Sequence, residues 1–228
     1  MSRRRPFLPS GLIVAVFLTG LSFVAAVSVA ADSLPAKLSD QEFWKLVRDL
    51  SEPGGIFLSD NLLSNEASLQ HVIPDLLNVS KPGGVYIGVG PEQNFTYIAA
   101  VKPSMSFIVD LRNGNLDLHL MYKALFELSA TRVEFVSRLF ARKPPSGLTT
   151  TSTAQEIFAA FWNANASEDL YFENFKAIQE TLTLKHGFEL PPDDLKGIQY
   201  VYYSFYKVGP RIQYSRSEER RVGKECRL

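Results

Sequence analysis

The sequence predicts an α/β fold, on three observations. Val85-Tyr-Ile-Gly-Val89 and Phe107-Ile-Val109 are short runs of strand-forming residues. Gly88 and Gly90 close the first run where a chain passing from strand to helix needs glycine, and residues 94–101 carry a helix-like pattern. Asp110 follows the second run, 20 residues beyond Gly90, near the spacing of a carboxylate that holds a ribose. Strand, glycine turn, helix, strand and acid make a mononucleotide-binding βαβ unit, so the expected architecture is a Rossmann-like βαβ core. The long helical remainder then enters as a large insertion, in a core truncated at the C-terminus.

Taken in order, the chain begins with Arg3, Arg4 and Arg5 ahead of an apolar run over residues 11–29, followed by Ala30, Ala31 and Asp32. Basic start, apolar stretch and small residues predict a secretory signal peptide over residues 1–31. An uncleaved membrane anchor is the other reading, since the run is just long enough to span a bilayer. In either case the arginines stay inside and the remainder is sent out of the cytoplasm. The predicted location is periplasmic or secreted, with membrane contact only through this segment if it stays on. Arg4-Arg-Pro-Phe-Leu8 resembles the core of a twin-arginine export signal, although Arg3 and Pro9 depart from the usual pattern. A general-secretion signal is the alternative.

Ser39 and Glu42 form a capping-box pattern that opens a helix carrying Phe43, Leu46, Val47 and Leu50 on one face, with Pro53-Gly-Gly55 to end it. A second helix is expected over residues 66–77 in spite of Pro74, and Lys81-Pro-Gly-Gly84 turns into the first strand. After Asp110 the apolar spacing predicts helices over residues 116–128, 131–141, 154–164, 168–184 and 193–206, with no convincing third strand. The last of these contains enough tyrosine and valine for a strand, but Leu195, Ile198, Tyr202 and Phe205 repeat at helical spacing and read as core. Residues 143–153 are a loop, capping the next helix through Ser152 or Thr153, and either a surface connection or a lid.

The other end changes abruptly. Residues 216–227 match, in order, the translation of a common short-read sequencing adapter, so residues 216–228 are read as an artefact tail. The natural frame is then expected to be interrupted near Ser215, leaving residues 32–215 as an incomplete domain. The tail holds Cys226, the chain's only cysteine, which excludes disulfides and thiol chemistry from the rest. Residues 32–215 contain 16 Lys plus Arg against 21 Asp plus Glu, a net charge of −5 with no basic stripe, which excludes a nucleic-acid binder. His71, His119 and His186 have no metal-ligand spacing, and no metal site is predicted. Serine-hydrolase elbow and phosphate-loop lysine motifs are absent.

The candidate site is the glycine turn. Gly88 and Gly90 allow backbone to approach a ligand, but Gln93 replaces the third glycine of the dinucleotide fingerprint, which favours a ligand without a pyrophosphate. The unit resembles the first motif and following acidic strand of class I S-adenosylmethionine-dependent methyltransferases. That resemblance implies S-adenosylmethionine, or a related small adenosyl ligand, as cofactor, with Gly88 and Gly90 bordering its methionine part. It implies that Asp110 accepts from the ribose hydroxyls, Leu111 packs on adenine, and Glu92 and Asn94 hold the amino-acid end. Ile87 stands where the methyltransferases often carry an acid. His119 and Tyr122, three apart, are expected to face the pocket, and the catalytic residue and methyl acceptor are unknown.

The blocks Val85-Tyr-Ile-Gly-Val-Gly-Pro-Glu-Gln-Asn-Phe-Thr-Tyr-Ile98 and Leu120-Met-Tyr-Lys-Ala-Leu-Phe-Glu-Leu-Ser129 also resemble an uncharacterised bacterial family, longer and methyltransferase-like in fold. This resemblance implies further strands beyond Ser215 and no known chemistry. Two alternatives stay open. Asp110 can instead cap a turn with Arg112-Asn-Gly114, and the whole chain can be a non-catalytic extracytoplasmic binding or structural module.

Overall fold

The computed structural model describes residues 34–52, 60–66 and 68–214. The expected signal segment over residues 1–31, the expected Pro53-Gly-Gly55 helix stop and the expected artefact tail over residues 216–228 lie outside them. Of the described residues 59% are helical and 7% are in strands. The expectation of an α/β fold on a Rossmann-like core is therefore overturned. The βαβ segment exists, but its sheet has two strands among the described residues. The helices treated as an insertion form the body.

Helix α1 (Asp40–Leu50) starts at Ser39, whose hydroxyl accepts from Glu42 N while the Glu42 carboxylate accepts from Ser39 N, a reciprocal box. Its inward side is Trp44 with Phe43 and Val47, while Leu50, expected on that face, is exposed. The helix expected across Pro74 divides. A short 3-10 turn, Leu69–Val72, precedes α2 (Ile73–Val79), and Pro74 sits in the first turn of α2, where its missing N–H costs nothing.

Strand β1 (Val85–Val89), helix α3 (Gln93–Val101) and strand β2 (Met105–Val109) follow. The strands pair in parallel, Val85 with Met105 through Val89 with Val109. Period-two alternation puts Val85, Ile87 and Val89 on one face, and all three are exposed, Ile87 at 70%. Val109, the register partner of Val89, is exposed too. The near-continuous apolar run of β1 is the signature of a strand covered on both faces. Here one face lies open.

The core is helical. Helix α4 (Asn113–Glu127) packs along α8 (Pro192–Val208), with α5 (Arg132–Phe140), α6 (Ala154–Phe161) and α7 (Glu168–Glu180) around them. Leu118, Leu120, Met121, Tyr122, Ala124 and Leu125 make α4 apolar over most of its circumference, which suits a central helix. From α8, Ile198, Tyr202 and Phe205 are fully buried, each contributing about 1.5–3 kcal/mol by leaving water. The Tyr202 hydroxyl donates to Arg138 O at 2.7 Å, and its ring stacks on Tyr171 at 5.2 Å. Burying an aromatic of this kind requires such a partner for its polar tip.

Thr153, rather than Ser152, caps α6, in a second reciprocal box with Glu156. Residues 143–153 form an exposed connection stitched by Thr149 and Ser152. Helix α7 runs on into a π turn, Thr181–Lys185, which replaces the end of the single helix expected to residue 184. Among the described residues no helix is long and apolar enough to cross a membrane.

Candidate functional site

The glycine turn joins β1 to α3. Gly90 has φ +86°, a left-handed conformation in which glycine carries no penalty. A Cβ on Gly88 would collide with Asn94 Oδ1 and Tyr86 Oη, so this glycine makes room for the chain's own side chains. Asn94 is 1% exposed and occupies the turn. Its amide nitrogen lies 3.1 Å from Val89 O, 3.1 Å from Gly90 O and 2.8 Å from Pro91 O, while its oxygen accepts from the Tyr86 hydroxyl at 2.7 Å. The Gly90 N–H donates to Val109 O at 3.3 Å, inside the sheet. The amide expected to greet a ligand is thus already used.

Asp110 is equally committed. Arg112 donates to it twice from the guanidinium, Nε to Oδ1 at 3.0 Å and Nη2 to Oδ2 at 2.7 Å, and once from its backbone N–H at 2.9 Å. Both side chains are 10% exposed. The remaining arm of Arg112 donates to Asp60 O at 2.6 Å, and the Tyr200 hydroxyl donates to Asp60 Oδ2 at 2.5 Å. This is the turn-capping alternative, reinforced by a bidentate pair.

Of the remaining expected site residues only His119 reaches the turn. Both Glu92 oxygens accept the Ser64 N–H, at 3.1 and 3.0 Å; burial raises its pKa and that hydrogen bond partly offsets the rise. Leu111 is 84% exposed. His119 Nε2 donates to Gly90 O at 3.0 Å, and burial lowers its pKa against the opposing pull of that carbonyl and Asp110, so the ring is neutral near pH 7. Tyr122 does not face a pocket. It is core, edge-on to Phe95 and Phe205, and burial drives its phenol upward. Gly88, Gly90, Asn94, Asp110 and His119 are therefore brought together, and Glu92 and Leu111 are not.

The residues that decide the site were Arg112, Asp60, Ser64 and Tyr200. Of these only Arg112 left a local signal, as the i+2 partner of an aspartate in a turn. Near the start of α4 lies one further group without a sequence signal. Asp117 is 4% exposed and fits because Gly197 of α8 has no side chain to meet it. Burial first, and then Asp194, push its pKa up to about 8, and Oδ1 has no hydrogen-bond partner among the described residues.

The family model for a domain of unknown function, DUF7790, matches residues 61–187. The chain belongs to the DUF7790 family. No curated protein and no solved structure matches it. The DUF7790 span contains the filled glycine turn, the Asp110–Arg112 pair, Asp117 and His186. Helix α8, with Gly197 and Tyr200, follows it in the chain.

Proposed function

We propose that this DUF7790 chain is an exported, non-catalytic binding or structural module and not a methyltransferase. The observation that carries this is Asn94 seated inside the glycine turn with both its amide nitrogen and its amide oxygen hydrogen-bonded to the chain itself. Binding S-adenosylmethionine there requires Asn94 to vacate the turn and Asp110 to exchange a bidentate arginine for two hydroxyls. Breaking a buried pair of that kind costs about 3–5 kcal/mol, a large part of what a small ligand returns. The arginines and apolar run at the start of the chain support export, which would also separate the protein from cytoplasmic S-adenosylmethionine. The open apolar face of β1 supports a role in contact rather than turnover, since such faces mark interaction surfaces.

The test is calorimetry of the full chain with S-adenosylmethionine. No heat and no thermal shift at millimolar ligand is the expected result. Saturable binding that Asp110→Ala abolishes would overturn the proposal and restore the methyltransferase reading.

A further inference from the structure

Away from the glycine turn, a cleft of about 590 Å³ opens between the segment leading into α1, the start of β2, the C-terminal half of α4 and the end of the π turn. That volume falls within the range of small-molecule sites. Its chemistry is concentrated on Glu127. Oε1 accepts Lys123 Nζ at 2.6 Å, and Oε2 accepts both Lys185 Nζ and His186 Nε2 at 2.7 Å. Burial resists the charge on Glu127, but these three donors win and hold its pKa down to about 2.

Two features distinguish this cleft from a solvated charge network. Lys185 and His186 are delivered by the π turn Thr181–Lys185 and the residue after it, before Gly187 at φ +66°. Single π turns are rare and recur at functional sites, because the extra residue re-aims the side chains that follow. The second feature is His186 itself, whose side chain is 9% exposed and lines the cleft. Its Nδ1 lies 2.9 Å from Asp40 Oδ1 but off the line of a hydrogen bond, which leaves a buried ring nitrogen without an aligned partner. The ring stacks on Phe188, which stacks in turn on Trp44.

The cleft also carries a surplus of positive charge. Three lysines, Lys37, Lys123 and Lys185, face two carboxylates, Glu127 and Asp40, and Lys37 makes no ion pair among the described residues. Between these cations the walls are apolar, with Leu38, Phe43 and Met105. We propose that this cleft binds a small organic carboxylate, its headgroup received by Lys37 and Lys185 and its apolar body lying on Phe43 and Met105. A bare inorganic anion would leave those apolar walls uncovered, and a neutral amide would leave the cations uncompensated.

The experiment titrates the full chain with butyrate, its neutral isostere butyramide, and inorganic phosphate at constant ionic strength, reading tryptophan fluorescence and thermal shift. Saturable binding of butyrate at about millimolar concentration, with none of butyramide, is expected for a ligand of this size. K37M and K185M should each weaken it about tenfold, while D110A leaves it unchanged. Both lysines are at the rim, and K37M removes no internal contact, so that variant stays informative if K185M fails to fold. Equal responses to butyrate and phosphate, saturation by phosphate alone, or unchanged affinity in K37M would each overturn the proposal. Because the probe is not an adenosyl compound, these outcomes do not depend on the test at the glycine turn.

Discussion

The two halves of helix α4 face opposite situations. At its N-terminal half, His119 joins a turn in which Asn94, Arg112 and the backbone have consumed one another's hydrogen bonds. Toward its C-terminus, Lys123 and Glu127 border a cleft with one spare cation, Lys37, and a ring nitrogen that lacks an aligned partner. The first region has the recognisable motif and the second has none. Availability follows from which polar groups remain unsatisfied, and a motif does not report that. A glycine turn is a cradle only while nothing of the chain's own fills it.

Asn94→Asp is the strongest way to break this contrast. A carboxylate there would put oxygen against Val89, Gly90 and Pro91 carbonyls, and stability should fall by about 3 kcal/mol or more, read as a lower denaturant midpoint. A mild effect would mean the turn is open in solution. Gly88→Ala should follow at about 2–3 kcal/mol, since its Cβ must displace Asn94 or Tyr86, and in a chain of this length that lowers Tm by roughly 5–10 °C. An alanine variant with unchanged Tm would show that Gly88 is not there for packing.

Asp117 sharpens the comparison through pH. Its pKa is higher folded than unfolded, so the native state holds a proton that the unfolded chain releases. Stability from this group is present below the ordinary carboxylate range and is lost as pH rises toward about 8. Asp117→Asn should flatten that decline, making the variant the more stable form at pH 8–9, by chemical denaturation across the range. A slope identical to the parent's would remove Asp117 as its source. The smallest effect is expected from Ile87→Asp on the open sheet face, within about 0.5 kcal/mol in stability. It should lower binding of a hydrophobic dye; undiminished dye binding would mean that this face is covered.

Local rules made much of the helical framework legible. Ser39 with Glu42 and Thr153 with Glu156 are boxes closed within four residues, and the repeat of Ile198, Tyr202 and Phe205 marks the buried side of α8. The two strands and their parallel crossover were legible for the same reason, because Gly88, Gly90 and the apolar runs around them act over short distances. The number of strands was not. A third strand is a matter of what packs beside β2, and the same βαβ sequence serves a large sheet or a marginal pair.

By itself, then, the sequence determined where α1 begins, where the chain turns out of β1, and that Ile198, Tyr202 and Phe205 go inside, since caps, turns and amphipathic spacing are satisfied by neighbours in the chain. The tertiary structure decided the rest. Asn94 turns inward because Gly88 leaves space under Tyr86, and Asp110 is claimed because Arg112 is anchored from Asp60, 52 residues earlier. The cleft is assembled from Lys37, Asp40, Lys123, Glu127, Lys185 and His186, side chains as much as 149 positions apart that only the packing of α1, α4 and the π turn brings within reach. Hydrogen bonds and ion pairs act at contact distance, and contact between distant residues is a property of the fold.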